Sequence, residues 1–214
     1  MPAIDVIFFD VDGTLVDARR DIASAMNHTL QQMGFPKKPF GQIVSYIGTG
    51  VTDLISKSLG SSDAILIGKC IELYSVYYAK HSADEAILYP HVREALEYLK
   101  EKKKVILTNR YARMADSVLT ALGIREYFED IIGGDDERCL KPSACILDPY
   151  VSRHGLDKEK ALIIGDMAID IETGKNTGIR TCFVTYGLGK IEEVQPIGPD
   201  FIISDMSELE KIVR

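Results

Sequence analysis

No apolar stretch in this chain approaches the length needed to cross a bilayer, which excludes a helical membrane protein. The first residues, Met1-Pro2-Ala3-Ile4-Asp5, lack the basic start and apolar run of a secretory signal, so a cytoplasmic protein is expected. There is no long basic run, and the net charge is −7, which argues against nucleic acid as a partner. No G-x-x-x-x-G-K-[ST] segment is present, so a P-loop ATPase is excluded. Cysteine is sparse. Cys70, Cys139, Cys145 and Cys182 form no C-x-x-C pair, none has an arginine six residues on, and all four are expected as buried, reduced thiols. Internal repeats and low-complexity tracts are absent too.

What the chain does have is a 46% hydrophobic fraction over 214 residues, enough for one domain with a large insertion or for two small ones. The most informative segment is Ile7-Phe8-Phe9-Asp10-Val11-Asp12-Gly13-Thr14. Val6 to Phe9 is short, bulky and β-favouring, and reads as a buried strand with Asp10 at its carboxyl end. In an open parallel sheet that is where ligands sit. Two carboxyls there are costly unless a divalent cation or a lysine compensates them. A calcium loop is excluded: the position where an EF-hand needs glycine is Leu15.

From residue 17 to 85 the pattern is helical. The spacing predicts helices over Asp21–Met33, over a short stretch before Gly48, over Val51–Ser58 and over Asp63–His81, the last burying Leu66, Cys70, Leu73, Tyr74 and Tyr77. Tyr74, Tyr77 and Tyr78 suit the core of this unit, and the four histidines show no metal-ligand spacing. From residue 86 onward strand and helix alternate. Strands are expected at Lys104–Leu107, Asp130–Ile132, Ala161–Ile164, Arg180–Val184 and Asp200–Ile203, with helices at Pro90–Leu99, Arg113–Leu122, Ser143–His154 and Ile169–Asn176. The expected fold class is therefore α/β, a parallel sheet flanked by helices, with an all-helical insertion.

Polar residues cluster after the strands. Asp10 and Asp12 follow one, Thr108-Asn109 a second, Lys141-Pro142 a third, and Gly165-Asp166-Met167-Ala168-Ile169-Asp170 a fourth. If the strands are neighbours, these groups meet in one crevice. The set suits phosphoryl transfer: a carboxylate attacks phosphorus, Mg²⁺ offsets the repulsion between anions, lysine adds positive charge, and hydroxyl and N–H groups hold the equatorial oxygens. Gly13 lets the backbone approach a phosphate. Taken singly, Thr108 also suits a helix N-cap, Lys141 a solvated side chain, and Asp170 a first-turn acid.

Together Asp10-x-Asp12-Gly13-Thr14, Thr108-Asn109, Lys141-Pro142 and Gly165-Asp166-x-x-x-Asp170 resemble the four ordered motifs of the haloacid dehalogenase-like phosphohydrolases. Ile47-Gly48-x-Gly50, Gly133-Gly134-Asp135 and Asp170-Ile171-x-x-Gly174-x-Asn176-x-Gly178 extend the resemblance to the phosphoglycolate phosphatase-like branch. The resemblance implies a Rossmann-like core over residues 1–16 and 86–214 and a helical cap domain over 17–85. It implies Asp10 as nucleophile and Mg²⁺ ligand. Asp12 becomes general acid/base and offers a backbone carbonyl to the metal. Thr108, Asn109 and Gly13 hold phosphate, and Lys141 neutralises charge. Asp166 is a metal ligand, and Asp170 supports metal waters or Lys141.

The substrate so implied is a small phosphate ester such as phosphoglycolate, with no nucleic-acid or membrane partner, acted on by a monomer or homodimer. Gly48, Thr49, Gly50 and Arg110 are candidate substrate contacts. Arg110 stands where many relatives carry lysine, and Cys139-Leu140 replace commoner polar residues. The same motifs also serve pyrophosphatases and sugar phosphomutases. A signalling module storing phosphate on aspartate is a further alternative, opposed by the large insertion and by Asp12.

Overall fold

The computed structural model describes residues 3–213; Met1, Pro2 and Arg214, at the ends of the expected core segments, lie outside the described residues. The chain runs β1 (Val6–Phe9), β2 (Val16–Asp17), α1 (Arg19–Gln32), α2 (Phe40–Val44), α3 (Val51–Leu59), α4 (Ala64–Tyr78), β3 (Ile87–Leu88), α5 (Val92–Tyr98), β4 (Lys103–Leu107), α6 (Ala112–Ala121), β5 (Asp130–Ile132) and α7 (Asp148–His154). It continues with β6 (Ala161–Gly165), α8 (Ala168–Thr177), β7 (Arg180–Val184), α9 (Ile191–Val194), β8 (Phe201–Ile203) and α10 (Leu209–Ile212).

Six strands form one parallel sheet in the order β5-β4-β1-β6-β7-β8. β1 is central, with Phe9 opposite Ile106 on one side and Ile164 on the other. Its side chains alternate between two apolar layers. Ile7 and Phe9 join Ile106, Leu162 and Ile164, while Phe8 joins Val105, Leu107, Ile163 and Tyr150. A strand buried on both faces reads as an unbroken apolar run, and VIFF does so. The order of strands reverses direction at β1, so the crevice of an open sheet lies at its carboxyl end.

Between β2 and β3 the chain is helical. α1 buries Ile22, Ala25, Met26 and Leu30, α3 buries Leu54 and Ile55, and α4 buries Ile67, Cys70, Tyr74 and Tyr78. The entry and exit of this segment pair as an antiparallel ribbon, Val16 opposite Leu88 and Asp17 opposite Ile87. Buried Asp21 ties the same junction, accepting the N–H groups of Glu85 (3.0 Å) and Ala86 (2.8 Å). No helix among the described residues is long and apolar enough to cross a membrane.

Three expectations are corrected. Leu73 faces solvent rather than the core, because α4 turns Cys70 and Tyr74 inward instead. The helix expected over Ser143–His154 is a 3₁₀ turn, Ala144–Leu147, followed by α7; Pro149, in the first turn of α7, has no N–H to continue a helix from Cys145. Cys139 and Cys145 are half-buried and joined in a disulfide, their Cα atoms 5.4 Å apart; only Cys70 and Cys182 are free, buried thiols.

Candidate active site

The four polar groups converge at the carboxyl edge of the sheet. Asp10 and Asp12 follow β1, Thr108, Asn109 and Arg110 follow β4, Lys141 lies in the segment after β5, and Asp166 and Asp170 follow β6. Asp10 still belongs to the ladder through its N–H to Ile164 O at 2.9 Å, so its side chain leaves the sheet at a fixed height.

Lys141 is the hub. Its Nζ lies 2.8 Å from Asp10 Oδ1 and 2.7 Å from Asp170 Oδ1, and its side chain is 2% exposed, so water does not weaken either bond. Asn109 fixes the lysine backbone: its Oδ1 accepts Lys141 N–H at 2.7 Å and its Nδ2 donates to Lys141 O at 3.1 Å. The same Nδ2 donates to Gly48 O (3.1 Å) in the helical segment. Asp170 also caps α8, its Oδ2 accepting Met167 N–H at 2.9 Å, so the helix-end role and the lysine role share one carboxylate.

Asp166 is fully buried. Its Oδ1 accepts the Thr14 hydroxyl (2.9 Å) and its Oδ2 accepts Leu188 N–H (2.6 Å). Gly13, at φ 88°, packs directly on this carboxylate; a Cβ there would stand 2.2 Å from Asp166 Oδ2. A Cβ on Gly187 would meet the Asp166 side chain at the same distance. What the glycine after Asp12 accommodates here is thus the second acidic motif, where the sequence suggested a phosphate. The Tyr186–Gly189 segment also enters the site through Tyr186, whose hydroxyl donates to Thr14 O at 2.8 Å. Sequence analysis missed this segment; two glycines just past the end of β7 were its only signal.

One carboxylate oxygen each from Asp10, Asp166 and Asp170 falls within 4.8 Å of the others. Lys141 bonds two of these three acids, Asp10 and Asp170, and leaves Asp166 without a cation, and the electrostatics record the imbalance. Burial, then Asp10 and Asp170, push the Asp166 carboxyl up to about 8. Asp170 rises to about 6, raised by burial and held down by Lys141. Burial works to lower the lysine, and the two aspartates more than reverse it. A hard divalent cation suits such an all-oxygen set and would supply the missing positive charge.

Asp12 diverges from this cluster. Arg110 grips it with both arms, Nε to Oδ2 at 2.9 Å and Nη2 to Oδ1 at 2.5 Å, with side chains 6% and 14% exposed. Burial raises the Asp12 carboxyl above its usual value while Arg110 pulls it down. The third guanidinium nitrogen donates to the Tyr78 hydroxyl of α4, and the guanidinium carbon lies 4.8 Å from the Tyr78 ring centre. Tyr78, expected as core, is therefore also a site residue.

The cleft is lined by Asp10, Asp12, Thr108, Asn109, Arg110, Lys141 and Asp170 below, and by Ile22, Ile47, Gly48, Gly50, Val51, Leu54 and Tyr74 above. Thr49 is not among them; it is exposed and its hydroxyl bonds Asp53. A second seam joins α3 to the edge of the sheet, where the Thr52 hydroxyl donates to Glu137 and meets Tyr111.

Comparison with known proteins places these features in context. The sequence model for "Haloacid dehalogenase-like hydrolase" matches residues 7–184. A phosphoglycolate phosphatase of Vibrio parahaemolyticus is 33% identical over 98% of this chain and 96% of its own length. One from Aquifex aeolicus is 34% identical over 97% and 96%. Among solved structures, a predicted phosphoglycolate phosphatase from Haemophilus somnus superposes with a TM-score of 0.90 at 26% identity, covering all of both chains. A haloacid dehalogenase-like family hydrolase from Streptococcus pneumoniae does so with a TM-score of 0.85 at 28% identity, again over both whole chains.

Proposed function

The chain belongs to the haloacid dehalogenase-like hydrolases, in their phosphoglycolate phosphatase-like branch, and from that premise we propose that it is a Mg²⁺-dependent phosphatase of small phosphorylated metabolites that works through an aspartyl-phosphate on Asp10. The observation that carries this reading is the Lys141 ammonium held between Asp10 and Asp170, with Asp166 completing a compact set of acidic oxygens.

Asp10 is positioned by the sheet to attack phosphorus, forming the carboxyl–phosphate bond as the ester oxygen departs. Asp12 delivers a proton to that oxygen and later takes one from the attacking water, which breaks the phospho-aspartate and returns Asp10. Lys141 holds charge on Asp10 and the phosphate. The Thr108 hydroxyl donates to the phosphate oxygens, and Asn109 holds the loop that carries Lys141. Mg²⁺ would be held by Asp10, Asp166 and the Asp12 carbonyl, with Asp170 supporting, and would offset the repulsion between nucleophile and phosphate. Residues 17–85 act as a cap on a core made of 1–16 and 86–214; when closed, the cap excludes water from the cleft. Ile47, Gly48 and Gly50 form its contribution to the substrate wall.

The test is phosphate release from a panel of small esters, pyrophosphate and a hexose phosphate, with Mg²⁺ and with chelator. Steady, Mg²⁺-dependent turnover of monoesters is expected, together with loss of turnover in a folded Asp10→Asn variant. Isomerisation without phosphate release, a pyrophosphate preference, sub-stoichiometric release or full activity of Asp10→Asn would overturn this reading.

A further inference from the structure

Lys141 comes from a stretch without regular structure: from the end of β5 to the 3₁₀ turn at Ala144 the chain makes no helix or strand. Hydrogen bonds fasten that stretch from outside. Gly134 N–H donates to Arg110 O (2.8 Å), Asn109 grips the Lys141 backbone, and Asn176 Nδ2 donates to Pro142 O (2.8 Å). One covalent bond fastens it too. Cys139 lies in the stretch, and its disulfide partner Cys145 lies in the 3₁₀ turn, which is rooted in the core by buried Ile146 and Leu147. The ring so closed contains Leu140 and Lys141. Leu140 packs on Gly50 of the helical segment and on Gly134, where added Cβ atoms would stand 3.2 and 2.7 Å from it, and Lys141 reaches Asp10 and Asp170. The bond is also within reach of solvent. Both its cysteines are half-buried and the side chain of Arg138, next to it, is 89% exposed, whereas Cys70 and Cys182 are sealed inside.

We propose that Cys139 and Cys145 form a thiol–disulfide exchange site, open to an external dithiol, whose state sets the presentation of Lys141 to Asp10. This rests on the phosphatase reading and adds a regulation to it. A thiolate of the dithiol attacks one sulfur of the pair, the S–S bond breaks, and the other sulfur leaves as a thiolate that takes a proton from water. The second thiol of the dithiol then closes its own disulfide and frees the remaining cysteine as a thiol. Two electrons and two protons pass to the protein, and the dithiol is oxidised; a disulfide reagent runs the exchange backwards. Opening the ring returns chain freedom to the lysine-bearing stretch and detaches it from the rooted 3₁₀ turn. The bonds from Asn109 then have to hold Lys141 alone, and a small displacement of a charge at a reacting centre is costly in rate. Closed, the centre is assembled; open, it is loosened.

The experiment treats the whole protein with oxidised glutathione or with dithiothreitol, confirms the state of the bond by alkylation and intact mass, and measures two things. One is kcat with a phosphate monoester and Mg²⁺. The other, independent of activity, is the rate at which trypsin cuts after Arg138. Dithiothreitol is expected to lower kcat about tenfold and to speed the cut, and reoxidation is expected to reverse both. Cys139→Ser and Cys145→Ser should each sit at the reduced level, unmoved by dithiothreitol. If the variants do not fold, the two states of wild type decide. An unchanged kcat with the bond shown open, a response to dithiothreitol that survives in the serine variants, or failure of the bond to form under oxidised glutathione overturns the exchange site while the phosphatase reading stands. No turnover in either state overturns the phosphatase reading, and the trypsin rates then decide the exchange site alone: equal rates in the two states overturn it.

Discussion

Asn109 holds Lys141 at both ends of its backbone, accepting its N–H at 2.7 Å and donating to its carbonyl at 3.1 Å. The residue next to Thr108 therefore sets the height of the ammonium that touches Asp10. Replacing Asn109 with Ala removes both bonds inside a buried site, at a cost of about 2–3 kcal/mol. Urea denaturation should show that loss, and turnover should fall by more than tenfold because Lys141 is no longer fixed.

The acidic cluster predicts a pH response. Asp166 and Asp170 are raised to about 8 and about 6 in the folded, metal-free protein, above the ordinary value of 3.8. Over that window the folded state holds more protons than the unfolded one, so stability is greatest below about pH 4 for this term and is lost as pH rises toward 8. Melting curves in chelator should therefore fall with pH relative to those of Asp166→Asn. Mg²⁺ should raise the midpoint more at the alkaline end than at the acid end. A Mg²⁺ effect independent of pH would count against Asp166 as part of the ion's site.

Gly13→Ala should fail. The added Cβ would lie 2.2 Å from Asp166 Oδ2, and the backbone sits at φ 88°. Steric overlap and left-handed strain together should cost more than about 2 kcal/mol. A folded, active alanine variant, measured by calorimetry and phosphate release, would contradict the packing described.

The Cys139–Cys145 link closes a short loop around Lys141 and Pro142. The loop-entropy relation gives about 2 kcal/mol for a closure of this length. Chemical unfolding with and without reductant should differ by that amount. Alkylation without reductant should leave Cys70 and Cys182 as the only modifiable thiols, reached on unfolding.

The fold was legible where one local signal decided the outcome. VIFF before Asp10, KVIL before Thr108 and ALII before Gly165 are apolar runs cut by polar or glycine residues, and each is a buried parallel strand. Since ligands gather at such strand ends, the meeting of Asp10, Lys141, Asp166 and Asp170 could be anticipated. Contacts made by distant, individually unremarkable residues could not. Nothing near Arg110 says that it faces Asp12 across 98 positions, or that Tyr78 joins them. β2 and β3, two residues each, are too short for any alternation to show. The disulfide escaped because a turn, rather than close spacing, brings its cysteines together.

The paired strands β2 and β3 have one more consequence. With Val16 beside Leu88 and Asp17 beside Ile87, the chain sets out on its helical excursion and comes home through a single doorway. A detour whose start and finish coincide can be lengthened, trimmed or traded over generations without rethreading the strands beneath it. The six-strand sheet and the acidic cluster at its carboxyl edge keep their positions whatever the length of that detour.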